Sequence, residues 1–132
     1  MRTILAIDPG RDKCGLAVVS SKDVLHKEVV PREQIVQAVG ALVEKHSLDR
    51  IVIGNGTGAA DLADDLRASA ISVSLELIDE RFSSRRARAR FFEANPPKGI
   101  RRLIPRGLLT PDRPYDDYVA LILAEDYLNE SS

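Results

Sequence analysis

Carboxylates stand at the ends of apolar runs in three places in this chain of 132 residues. Asp8 closes "ILAID", Asp79 and Glu80 close "SLELIDE", and Asp116 and Asp117 open "DDYVALIL". An acid that ends an apolar strand is costly unless it is paired or bound to a cation. Hard divalent cations need clustered oxygen ligands, and Mg²⁺ typically takes a few carboxylates together with water and phosphate oxygens. Two such ions about 3.5–4 Å apart can clamp the attacking and leaving oxygens of an in-line phosphoryl displacement. Simpler readings stand beside this one. A helix dipole alone favours acids such as Asp116 and Asp117 in a first turn, and Asp79-Glu80 could merely end a strand. Asp8 is the hardest of the acids to explain without a cation.

The charge distribution points the same way. Net charge is only -1, yet nine Lys and Arg side chains crowd positions 81 to 106 against one acid, Glu93. Arg81, Arg85, Arg86, Arg88, Lys98, Arg101, Arg102 and Arg106 form a cationic stripe suited to a phosphate backbone. A solvated helix face followed by a loop explains the same stripe without a ligand.

These residues need elements to position them. Residues 3–8 and 14–20 read as two buried strands joined through "PGRDK", a hairpin that puts Arg11 and Lys13 on its tip. There they could touch a phosphate backbone, although a solvated turn accounts for them equally. Gly10 is expected to leave room beside Asp8 for a phosphate. "DVLHKEVV" is a third strand. Pro31 suits the first turn of a helix, and Ile35, Val36, Val39, Leu42 and Val43 give residues 31–46 one apolar face. "RIVIGNG" is a short apolar strand running into a glycine-rich loop. Its glycines at 54, 56 and 58 would let backbone approach phosphate, with Asn55 and Thr57 as candidate contacts; a plain βα turn is the alternative. "AADLADDLRASA" reads as a helix, and "ISVSLELIDER" as a strand with Val73, Leu75 and Leu77 on one face. "SSRRARARFFEAN" is a short helix that Ser83 or Ser84 could cap. "PPKGIRRLIPRGLLTPDRP" is a loop, and "YDDYVALILAEDYL" an amphipathic helix with Val119, Ile122 and Leu123 inward.

The order β-β-β-α-β-α-β-α-α predicts an α/β fold, a mixed sheet with helices on both faces. Length suits a single domain spanning 1–132, with no internal repeat. No stretch approaches the roughly 20 apolar residues of a membrane span, and the first residues carry no signal-peptide pattern. The single cysteine, Cys14, excludes an intrachain disulfide and a cysteine-based zinc site, is compatible with the cytoplasm, and is expected to serve packing.

Three of these segments, in order, carry a family resemblance. "IDPGRDKCGLAVV" resembles the first motif of the YqgF/RuvX family, the Holliday-junction-resolvase-like proteins of the ribonuclease H-like superfamily: a strand acid, glycine two residues on, a short basic turn, then Gly-Leu-Ala. "IDERFSSRRA" resembles the family's "DER" motif, and "YDDYVALILAEDYL" its C-terminal helix. One segment departs from the pattern. Where family members often carry "GLP" and an asparagine-bearing loop, this chain has "IGNGTGAA", closer to the "GNGT" of Tex-type RNA-binding transcription factors.

The resemblance implies a ribonuclease H-like fold, a five-stranded mixed sheet flanked by helices, and Mg²⁺- or Mn²⁺-dependent phosphodiester hydrolysis, with two ions. The metal-holding, catalytic acids carried over are Asp8, Glu80 and Asp116, with Asp117 one residue off and kept beside it. It also implies nucleic acid as partner (RNA, or branched or single-stranded DNA) for a monomer or homodimer. Processing of the 5′ end of pre-16S rRNA leads, and Holliday-junction resolution follows. A non-catalytic binding module of the Tex kind is the other class. An actin-like phosphotransferase, which needs two such domains, fits the length poorly.

Overall fold

The computed structural model describes residues 2–20, 23–56, 58–69, 71–79 and 116–131. Strands β1 (Thr3–Asp8), β2 (Lys13–Ser20) and β3 (Asp23–Pro31) form an antiparallel meander. A single 3-10 turn, Arg32–Gln34, leads into helix α1 (Ile35–Lys45), then β4 (Arg50–Gly54), α2 (Ala59–Ala68), β5 (Leu75–Ile78) and α3 (Asp116–Ser131). The sheet order is β3-β2-β1-β4-β5, with β4 parallel to β1 and β5 parallel to β4. The five-stranded mixed sheet is as expected.

Strand alternation divides the core into two layers. Leu5, Ile7, Leu16, Val18, Ile51 and Ile53 face α1 and α2, where Ile35, Val39, Leu42, Leu62 and Leu66 meet them. Ile4, Ala6, Ala17, Val19 and Val52 point to the opposite face and carry α3. Small side chains line that second contact, Ala6 and Ala17 on the sheet and Ala120 and Ala124 on the helix, all fully buried. They let α3 lie close to the strands.

Four expectations need correction. Pro31, at φ -58° and ψ 144°, ends β3 and precedes the 3-10 turn instead of occupying a helical position. β5 is only four residues long, and Leu77 is exposed although Val73 and Leu75 pack beneath the sheet. The serines at 72 and 74 interrupt the apolar run, and pairing with β4 begins only at Leu75. The final helix is not amphipathic over its first turns, because every residue from Asp117 to Ala124 is buried. Gly10 serves the turn: a Cβ there would stand 2.3 Å from the carbonyl oxygen of Lys13, so the hairpin itself fills that space. The helix expected at "SSRRARARFFEAN" and the proline-rich loop lie outside the described residues.

Candidate active site

The three parallel strands end at one edge of the sheet. Ile7 pairs with Ile53 and Gly54 with Ile78, so Asp8, Gly54 and Ile78 stand level at that edge. Carboxyl ends of parallel strands are where open α/β sheets build their sites. Asp8 is the last residue of β1 and partly exposed. It continues the row Ile4–Ala6 and therefore sits on the α3 face, opposite Gly15 of β2, which adds no side chain beside it. The hairpin tip that follows brings exposed Arg11 and Lys13 to the same edge. Its position is fixed from the far side, where the Arg32 backbone N–H donates to the Asp12 carbonyl at 2.8 Å.

The glycine-rich loop joins this edge as well. The Asn55 N–H donates to the Ile78 carbonyl at 2.8 Å, extending the parallel ladder one step and leaving Asn55 exposed. Gly58 precedes α2 with φ +83°, a left-handed conformation that suits glycine. Thr57 lies outside the described residues.

The first turn of α3 supplies the second acid on this face. Asp117 is 3 % exposed and, with Ser20, makes up the buried polar side chains among the described residues. Its Oδ1 accepts the Tyr118 backbone N–H at 3.0 Å, and its Oδ2 accepts from Lys27 Nζ of β3 at 3.4 Å. The same ammonium lies 4.2 Å from the centroid of the Tyr118 ring. Asp116 opens the helix; its side chain is outside the description, as are Glu80 and the basic residues Arg81, Arg85, Arg86, Arg88, Lys98, Arg101, Arg102 and Arg106. Asp79 follows β5, exposed. Among the described residues no three His, Cys, Asp or Glu side chains gather into a metal cage.

Lys27 is the residue that sequence reasoning missed. Its signal was a lysine between Leu25 and Val29 in an otherwise apolar strand row, but its partner lies 90 positions away. Cys14 is buried and packs with Leu16 and Ile7, as expected. At the other end of α3 a polar clamp secures the helix. Arg50 Nη1 bonds Glu76 Oε2 at 2.8 Å, and Arg2 lies 5.3 Å from the Tyr127 ring centroid. The Arg50 hydrogen bond, with help from Tyr127, holds the Glu76 carboxyl below its ordinary range. α3 is therefore tied to β3 through Asp117 and to the β4–β5 end of the sheet through Tyr127.

This arrangement agrees with what the chain is similar to. Residues 2–105 match the family model described as "RuvX: Holliday junction resolvase". The chain belongs to the RuvX family. Two curated relatives of this RuvX chain carry the name "Putative pre-16S rRNA nuclease". The Phocaeicola vulgatus protein is 29% identical over 97 residues, covering 64% of this chain and 70% of the relative. The Bacteroides thetaiotaomicron protein is 28% identical over 115 residues, covering 77% and 83%. Among solved structures, T. thermophilus RuvC in complex with a Holliday junction substrate superposes with TM-score 0.59 at 18% identity, over 98% of this chain and 96% of RuvC. A second Thermus thermophilus RuvC structure gives 0.58 at 14%, over 98% and 97%. At these identities the likeness establishes a shared RuvC-like, ribonuclease H-type fold. Among the described residues no helix is long and apolar enough to cross a membrane.

Proposed function

We propose that this RuvX chain is a divalent-metal-dependent nuclease that hydrolyses phosphodiester bonds at the 5′ end of pre-16S rRNA. One observation carries the reading: Asp8 sits at the carboxyl edge of β1, on the sheet face that receives the acidic first turn of α3. Family membership and the names of the two curated relatives support it. The donor set fits a hard cation, since Asp8 and Asp117 offer carboxylate oxygens on one face with a glycine opposite Asp8.

Asp8, Glu80 and Asp116 with or beside Asp117 would hold two Mg²⁺ or Mn²⁺ ions. When bound, such ions supply an activated water and neutralise charge on the departing oxygen. The chain's own groups do the rest. β1, paired on both sides, holds Asp8 rigidly. Arg11 and Lys13 reach the phosphates flanking the scissile bond, Asn55 lies at the same edge, and the positive charge of Arg81 to Arg106 adds to the attraction for a phosphate backbone. Phosphate contacts position a strand without reading its sequence, so selection rests on structure and strand type and weakens steeply with salt.

Junction resolution is the second reading, favoured by the superposition on a RuvC that is bound to a Holliday junction. It requires a two-fold dimer presenting paired sites, whereas RNA processing works as a monomer or a homodimer. Purified protein incubated with single-stranded RNA, single-stranded DNA and a four-way junction, each with Mg²⁺, Mn²⁺ or EDTA, separates these readings. Metal-dependent cleavage fastest on RNA is the expected result. Symmetric junction cleavage as the fastest reaction moves the assignment to resolution. Binding to all three without cleavage makes the chain a binding module of the Tex kind.

A further inference from the structure

The Lys27–Asp117 pair is unusual for its place. Asp117 is the one acidic or basic side chain among the described residues that is buried, and it lies in the helix turn proposed to hold metal. Its cationic partner comes from β3, at the outer edge of the sheet, and is 27% exposed. Register explains the placement: Lys27 pairs with Ala17 and Ala17 with Ala6, so the lysine stands on the α3 face beside a row of small side chains. The Tyr118 ring supports the ammonium from the other side, within cation–π range. The pair is long for an ion pair, 3.4 Å, and one end opens to solvent. A lysine placed in this way can leave without breaking the core.

Resting on the metal-nuclease reading, we propose that Lys27 is the resident counter-ion of the site. It holds the Asp117 carboxylate in its inward position before metal arrives, and it competes with the divalent ion for that carboxylate. Asp117 also accepts the Tyr118 backbone N–H, but a buried carboxylate that loses a cationic partner is destabilising, so the lysine stabilises the metal-free protein. A second cation within a few ångströms of a divalent one also opposes it. Lys27 thus weakens the metal that it prepares for, and acts as a positioning residue through Asp117 without touching the substrate.

The test is Mn²⁺ titration by calorimetry, with thermal melts in EDTA, of wild type, Lys27→Met and Lys27→Arg. Lys27→Met should melt lower than wild type in EDTA and bind Mn²⁺ about tenfold more tightly, because one close positive charge has gone. Lys27→Arg, which keeps the charge, should stay near wild type in affinity. If Lys27→Met is unfolded in EDTA, Mn²⁺ should restore the helical circular dichroism signal. Equal or weaker Mn²⁺ binding by folded Lys27→Met overturns the proposal, and so does an unfolded variant that Mn²⁺ cannot rescue. If neither wild type nor variant binds Mn²⁺, the nuclease reading itself fails. Wild-type binding with an unchanged variant removes only the role of Lys27.

Discussion

Gly10→Ala is the substitution whose cost can be worked most directly from the structure. The new Cβ would stand 2.3 Å from the Lys13 carbonyl oxygen, and the atom it meets is backbone, not the end of a flexible side chain. Relief requires the turn to open by roughly 1 Å to reach ordinary contact. Lys13 cannot yield freely, since it begins β2 and pairs with Pro31, while Asp12 is tied to Arg32. Overpacking of this kind costs typically 1–3 kcal/mol, and a backbone obstacle places it at about 2–3. For a chain of this length each kcal/mol is worth about 3–4 °C, so the melting temperature should fall by about 6–12 °C. Cleavage measured well below that temperature should fall at least about tenfold, because the turn begins immediately after Asp8 and a small misplacement there is amplified. Gly58→Ala is the control. Nothing lies within 4 Å of its Cβ, and the demand there is only the φ of +83°. It is a control for stability alone, and its cost should be about 1 kcal/mol. Thermal melts of both variants decide the matter. A Gly10→Ala protein within about 2 °C of wild type, or less destabilised than Gly58→Ala, refutes the steric argument.

Two further outcomes follow from the packing and the polar clamp. Glu76→Gln should flatten the acid side of the stability profile. The Glu76 carboxyl is held below its ordinary value of 4.5, chiefly by Arg50, so its stabilising contribution is present above that value and is lost as pH falls through the folded-state value. The pair is about two-fifths exposed, so the wild-type advantage should be only about 1–2 °C at pH 6 and should shrink as the pH falls below the ordinary carboxylate value; an advantage that grows on acidification contradicts this. Leu62→Ala empties a fully buried position on the face away from α3 and should cost about 2–5 kcal/mol in denaturant unfolding. Cleavage at low temperature should stay within about twofold, and a large activity loss without a stability loss would place the site on the wrong face.

What the sequence made legible was set by local physics. The β1–β2 hairpin, the apolar face of α1 and the short strand β4 followed from apolar runs, Pro9-Gly10 and three-four spacing, and all three stand where expected. β5 came out shorter, because serines 72 and 74 look tolerable in an alternating strand until pairing with β4 is known. The burial of α3 on every side over residues 117–124 depends on what the rest of the chain packs against it, which periodicity cannot report. Asp8 was legible because an acid closing an apolar strand is locally anomalous. Lys27 was not, because its meaning appears only when the sheet register brings β3 beneath the first turn of α3. Gly10 was noticed for the right position and the wrong reason: the obstacle is its own hairpin.

The central claim is that Asp8 belongs to a metal-dependent phosphodiesterase site. It is tested most directly by comparing wild type with Asp8→Asn on a single-stranded RNA carrying the pre-16S 5′ sequence, in Mn²⁺ and in EDTA, after melts establish that both are folded. Wild type should cleave in Mn²⁺ and stop in EDTA, and Asp8→Asn should lose at least about a hundredfold in rate, since ligand loss removes several kcal/mol of transition-state stabilisation. A folded Asp8→Asn protein that cleaves at the wild-type rate contradicts the account.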